Sequence, residues 1–164
     1  MNTQQIYKIL LSDSFVRRSP LIRVLARDQL PHHIDRTRTA VFIINTDAST
    51  NSGLHWVGLY YNGVGTFFYF DAFGLPILNS DIMTFVQTNS DRPLIYNTRH
   101  VQDCLSIACG LYAIYFMLIM CRGGTLRRVL QPFDSSHRQF VNDKIVARLL
   151  TPWLRKTSLN LSSL

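Results

Sequence analysis

Two of the three cysteines in the chain stand five residues apart in the stretch VQDCLSIACGLYAIYFM, Val101 to Met117. Gln102 precedes Cys109 by seven positions, and Gly110 with a long apolar run follows it. That pattern predicts Cys109 at a helix N-terminus, where the dipole and free N–H groups favour thiolate over thiol. The same N–H groups can stabilise an oxyanion, and the Gln102 side-chain amide offers a second donor for that task. A neighbouring histidine would activate the thiolate further. Cys104 lies ahead of the helix, too close to Gln102 for the same division of labour. Cys121 falls at the far end, where the dipole opposes a thiolate. Both read as structural.

A hairpin supplies an imidazole beside a carboxylate. LHWVGLYY (Leu54 to Tyr61) and TFFYFD (Thr66 to Asp71) read as strands around NGVG, and Asn62-Gly63 is a strong turn signal. If the loop is Asn62-Gly63-Val64, Tyr61 faces Gly65, and further out His55 faces Asp71 on one side of the sheet. A carboxylate there fixes the tautomer of an imidazole and stabilises its charged form. An ordinary cross-strand polar pair is the alternative reading. His32 and His33 belong to a basic loop, and no hairpin places an acid beside His100 or His137. No Cys/His spacing of the zinc type occurs, so no metal is expected.

The elements that must carry these groups can be read from the pattern. Asn2 or Thr3 caps a short helix bearing Ile6, Ile9 and Leu10. Pro20 to Leu30 reads as a second short amphipathic helix. AVFIIN (Ala40 to Asn45) is a buried strand, Leu78 to Gln87 a helix capped at Asn79 or Ser80, and Pro93 to Val101 an extended strand. Ala108 to Cys121 forms the apolar helix and Arg138 to Leu150 a last amphipathic one. The class is α+β, a short and largely antiparallel sheet with helices on its flanks.

Size and composition fit one globular domain over residues 1–164, with 47% hydrophobic and 16% charged residues. Three cysteines, an odd and small number, argue against a disulfide framework and favour a reducing compartment. No basic segment followed by an apolar stretch and a cleavage site opens the chain, so no secretory signal is expected. Leu105 to Cys121 is uncharged over 17 residues, at the short limit for a spanning helix. A core helix that is apolar all round explains it better, and no membrane partner is expected.

The net charge of +7 comes from 14 Arg and three Lys against ten Asp, with no Glu. It is unevenly spread: +4 over residues 1–40, −3 over 41–90, where there is no Lys or Arg, and +6 over 91–164. Such flanks suit nucleic-acid phosphates. The candidates are Arg17, Arg18, Arg23 and Arg27, with Arg127, Arg128, Arg155 and Lys156. A basic surface that only maintains solubility is the other reading.

The ordered set His55-Trp56, FDAFG, Gln102 and Cys109 resembles the adenovirus-type cysteine proteases, whose fold group includes the SUMO-deconjugating proteases. The likeness begins in AVFIINTDASTNSGLHW and runs through ACGLY and the apolar helix, roughly residues 40–121. His-Trp alone or Cys-Gly alone is a weak signal; the ordered set is strong. The resemblance implies an adenain-like, papain-like fold with the nucleophile on a buried central helix. It implies His55 as general base, Asp71 as its orienting acid and Cys109 as nucleophile. Gln102, with the Cys109 backbone N–H, would form the oxyanion hole, and Trp56 would pack near the imidazole. The adenovirus enzymes mostly carry Glu where Asp71 stands, whereas the SUMO proteases use Asp.

The function implied is a cysteine endopeptidase that cleaves viral capsid or core precursor proteins during virion maturation. It would work in the virion and host cell interior, as a monomer. The family is activated by DNA, which the Arg-rich flanks suit, and by a peptide held through a disulfide. No cysteine here matches that attachment point, since Cys104 is too close to Cys109, so a peptide activator is not expected and the sequence requires no cofactor. Two further readings stay open: a SUMO- or ubiquitin-type isopeptidase on the same fold, and a non-enzymatic basic module that binds nucleic acid.

Overall fold

A computed structural model describes residues 1–133 and 139–159 of the chain. Five strands form one sheet in sequence order: β1 (Leu21–Ala26), β2 (Thr39–Asn45), β3 (Trp56–Asn62), β4 (Phe67–Phe70) and β5 (Ile95–Tyr96). The pairings β2–β3 and β3–β4 are antiparallel, while both edge pairings, β1–β2 and β4–β5, are parallel. The helices are α1 (Thr3–Leu11), α2 (Ser80–Asn89), α3 (Cys109–Met120), α4 (Leu126–Leu130) and α5 (Gln139–Lys156). The class is α+β, as the sequence indicates.

Both faces of the sheet are covered, which explains why AVFII reads as a continuous apolar run instead of an alternation. Val41 and Ile43 of β2 join α1, α3 and α5 in one core; Phe42 and Ile44 join α2 in the other. Helix α3 runs through the first core with every residue but Ile119 buried. Among the described residues no helix is long and apolar enough to cross a membrane. Asn2 caps α1 in a capping box with Gln5, and Asn79 caps α2.

The segment Pro20 to Leu30 departs from the helix its pattern predicts. It is not a helix but strand β1, followed by a single 3-10 turn over Arg27–Gln29. Ile22 packs in the α3-side core and Leu25 in the α2-side core. Their spacing of three, which resembles helical periodicity, is that of a strand with apolar groups on both faces. Register with β2 (Ile22 opposite Val41) is a long-range pairing that local pattern does not contain. Of Pro93 to Val101, expected as one extended strand, only Ile95–Tyr96 pairs as strand. The last helix starts at Gln139 and continues past Leu150 to Lys156; Arg138 and His137 lie outside the described residues.

The hairpin closes one residue later than expected. Its loop is Gly63-Val64-Gly65, closed by Asn62 N–H donating to the Thr66 carbonyl at 3.1 Å. The Asn62 side-chain oxygen accepts from the N–H groups of Val64 and Thr66, each at 3.0 Å. Gly63 and Gly65 both take positive φ, 77° and 103°, which a side chain would resist. Tyr61 therefore faces Phe67, not Gly65, and the register moves by two residues. A shift of two preserves the face of every side chain, whereas a shift of one would have inverted it.

Candidate active site

Each end of the hairpin delivers one group. His55 immediately precedes β3 and its carbonyl accepts from Thr46 N–H at 2.8 Å; Asp71 immediately follows β4. Extending the observed register places Phe73, not Asp71, opposite His55, and the Phe73 ring stacks on the imidazole at 4.9 Å between centroids. Asp71 reaches the imidazole diagonally, with His55 Nε2 and Asp71 Oδ1 3.0 Å apart. The pair is brought together, then, by a different geometry from the direct opposition expected. Both side chains are largely buried, with 13% and 6% exposure.

The carboxylate of Asp71 is itself held. Its Oδ1 accepts the Phe73 N–H at 2.7 Å, and the buried Asn97 brackets its backbone. Asn97 Oδ1 accepts Asp71 N–H at 3.0 Å while Nδ2 donates to the Asp71 carbonyl at 2.7 Å. Burial, and the neighbouring charge of the same carboxylate, push the Tyr69 phenol pKa well up. Asn97, Tyr69 and Phe73 were not singled out from sequence. Phe73 was accessible in principle, since a correct loop assignment puts it opposite His55; nothing local marks Asn97.

Cys109 is the first residue of α3 and is buried to 9% exposure. Burial alone would raise its thiol pKa. A hydrogen bond with His55, and the backbone N–H groups of Trp56 and Gly110, outweigh burial and bring it below the ordinary value. On His55, burial alone would lower the pKa, yet the hydrogen bonds to Asp71 and Cys109 lift it to about 9. The two opposite shifts describe a thiolate–imidazolium pair oriented by a carboxylate. With Nε2 turned to Asp71, Nδ1 is the ring nitrogen left for the sulfur. The Trp56 indole N–H donates to the Met1 carbonyl at 3.2 Å, so the tryptophan ties the N-terminal segment to this region.

Gln102 is buried in the same cavity wall. Its Nε2 donates to the Ser106 carbonyl at 2.9 Å, which leaves one amide hydrogen unassigned. Its Oε1 is buried with no partner among the described residues. A cavity of about 590 Å³ opens over His55, Asp71, Gln102 and Cys109, walled by Leu54, Phe73, Leu75, Pro76, Ile82 and Ile107. A second, of about 450 Å³, is lined by Asn2, Asn45, Ser49, Asn51, Gly53 and Trp56 among others. Leu54, Ile107 and Cys109 border both, so the sulfur sits between two halves of a cleft.

The other candidates separate from this centre. Cys121 lies at the far end of α3, and burial with the Asp13 charge pushes its thiol up to about 12. Cys104 is exposed and its Sγ lies 3.8 Å from His100 Nε2. It is therefore not a packed core residue, although it lines the same cavity. The His32 and His33 rings meet each other at a 47° tilt and line neither half of the cleft. Among the described residues, no cluster of three or more His, Cys or Asp could hold a metal ion.

The family model described as adenovirus endoprotease matches residues 25–131. A protease of Porcine adenovirus A serotype 3 is 28% identical over 127 residues, covering 62% of each chain. Proteases of Bovine adenovirus B serotype 3 and Bovine adenovirus C serotype 10 are 30% and 28% identical, covering 53% of this chain and about half of theirs. The chain thus spans about half to three fifths of the length of these curated relatives. A crystallised ASFV protease aligns with a TM-score of 0.46 and 16% identity, over 64% of this chain and 42% of its own.

Proposed function

Because the chain belongs to the adenovirus endoprotease family, we propose that it is a cysteine endopeptidase whose nucleophile is Cys109, with His55, Asp71 and Gln102 completing the site. The observation that carries this reading is the His55–Asp71 hydrogen bond lining one open cleft together with Cys109 at the start of α3 and Gln102. The Cys109 thiolate attacks a scissile carbonyl, and the carbonyl π electrons move onto oxygen. That oxyanion is met by the Gln102 amide and the Cys109 backbone N–H at the start of α3. Collapse of the tetrahedral species expels the amine, which takes its proton from the His55 imidazolium, and leaves a thioester. Neutral His55 then removes a proton from water, whose oxygen attacks the thioester; acid product departs and the thiolate–imidazolium pair is restored. Asp71 holds the ring in orientation throughout.

The substrates proposed are viral capsid or core precursor proteins, processed during virion maturation in the virion and host cell interior. Family membership and the two-sided cleft support a polypeptide substrate. Nucleic acid is proposed as a partner through the basic flanks. Arg17 and Arg18 are exposed, and Arg99, Arg127 and Arg128 line a common concavity without an acidic side chain. Arg27 is withdrawn from that set, because it pairs with Asp81.

The test is selective labelling. Iodoacetamide should alkylate Cys109 far faster than Cys104 or Cys121 at neutral pH, and Cys109→Ala should abolish proteolysis with the fold intact. Equal reactivity of the three thiols, or an active Cys109→Ala protein, ends the assignment. For the partner, affinity for unrelated DNA duplexes should fall steeply with salt, and Arg17→Ala with Arg18→Ala should reduce the slope by about one per lost phosphate contact.

A further inference from the structure

Gln102 sits in a segment without regular structure, between β5 and α3, so its position depends on what its neighbours are bound to. On one side the N–H groups of Val101 and Gln102 both donate to the Ala72 carbonyl, at 2.9 and 3.2 Å. That fastens the segment to the residue after Asp71. On the other side the contacts come from α5. Asn142, fully buried, donates from Nδ2 to the Val101 carbonyl at 3.0 Å. Asp143 Oδ1 accepts the Asp103 N–H at 3.4 Å and the Tyr112 hydroxyl at 2.8 Å. Tyr112, on α3 one turn from Cys109, also lies 3.2 Å from the Val101 carbonyl through its hydroxyl. Burial, with the Asp143 carboxylate beside it, holds the Tyr112 phenol protonated and so able to donate.

We propose that Asn142 and Asp143 of α5, with Tyr112, are positioning residues for the oxyanion donor: they clamp the backbone on both sides of Gln102 and set its amide relative to Cys109. The proposal rests on Gln102 serving as that donor. Helix α5 lies beyond residues 25–131, the stretch matched by the family model. The clamp joins three parts of the chain, because α3 supplies both Cys109 and Tyr112 while the Ala72 carbonyl follows Asp71. A donor misplaced by about 1 Å loses much of its effect on the transition state, up to about 10²-fold. Among the described residues no side-chain hydrogen bond joins His55, Asp71 or Cys109 to α5, so nucleophile and donor should be separable by experiment.

Two probes separate them. Iodoacetamide alkylates the thiolate by displacement and needs no oxyanion donor; p-nitrophenyl acetate acylates it through a tetrahedral oxyanion and does. Rates are corrected with Cys109→Ala for the other thiols. Asn142→Ala and Asp143→Ala should each slow acylation by about tenfold or more, within the loss seen for Gln102→Ala, and change alkylation less than about twofold. Asp143→Asn keeps an acceptor for Tyr112 and Asp103 and should retain most acylation. The double variant Gln102→Ala/Asp143→Ala should be no slower than Gln102→Ala alone. Additive losses, parallel loss of alkylation, or unchanged acylation in the α5 variants overturn the proposal. If the alanine variants fail to fold, Tyr112→Phe, which removes only the hydroxyl, decides: acylation at the full rate overturns it. Unchanged acylation in Gln102→Ala would instead remove the oxyanion role itself, and the proposal with it.

Discussion

Replacing Asp71 by Asn tests the electrostatics of the site most directly, because it removes a charge while keeping the shape. The His55 imidazole is lifted from an ordinary 6.5 to about 9 against the opposing effect of burial. A rise of that size amounts to about 3 kcal/mol of preference for the charged ring. Asp71 supplies the stronger of the two hydrogen bonds behind it and part of the charge, with Cys109 supplying the rest. Losing between a half and all of the preference shifts the balance from ion pair to neutral pair by about 10–100-fold. The sign follows from the direction of each shift. His55, raised, stays protonated as pH climbs past 6.5 and loses its proton only through about 9. Cys109, lowered, stays a thiolate as pH falls below the ordinary thiol range. In Asp71→Asn the imidazolium should therefore be lost about one pH unit or more earlier, and the thiolate should persist less far toward acid. NMR titration of the His55 ring protons reads the first, and iodoacetamide alkylation against pH reads the second. A His55 midpoint still near 9 in the variant would refute the reasoning, because the carboxylate would then have no part in holding the charged ring.

Gln102→Ala should lower kcat by about 10²–10³ with little change in KM; a change confined to KM would assign the side chain to substrate binding. Asp71→Glu should fall between wild type and Asp71→Asn, since it keeps the charge but forces a methylene into a site where Asp71 is only 4% exposed. Gly74 has φ of 71°, and a Cβ there would stand 2.7 Å from the Arg99 carbonyl carbon. Gly74→Ala should therefore push the Asp71–Gly74 turn away from the segment leading to Gln102, lowering both activity and thermal midpoint. Arg122→Ala should cost about 3 kcal/mol in chemical denaturation. It strips the charged partner from Asp13, whose side chain is only 4% exposed, and leaves the space between the Phe15 and Trp153 rings unfilled.

The candidate site was legible in the sequence because two of its parts are local. A helix start is marked by a few consecutive residues, so Cys109 could be placed under free N–H groups from Gly110 and the apolar run alone. A hairpin is also local, and Asn62-Gly63 brought His55 and Asp71 to one face although the loop was misplaced by a residue. The period of two made that error harmless: the true register preserves the face and exchanges direct opposition for a diagonal contact. What tertiary structure alone decided is non-local. The fate of Leu21–Ala26 as a strand was settled by parallel pairing with β2 and by cover on both faces, neither of which its own pattern carries. The bracket that Asn97 forms around Asp71, and the hold of Asn142 and Asp143 on the Gln102 segment, join residues 26 and about 40 positions apart. Side-chain hydrogen bonds over such separations leave no periodic trace, because any buried polar residue can satisfy any buried carbonyl that folding brings within about 3 Å of it. The sequence determined which groups are candidates for the chemistry; only the folded chain determined what holds them still.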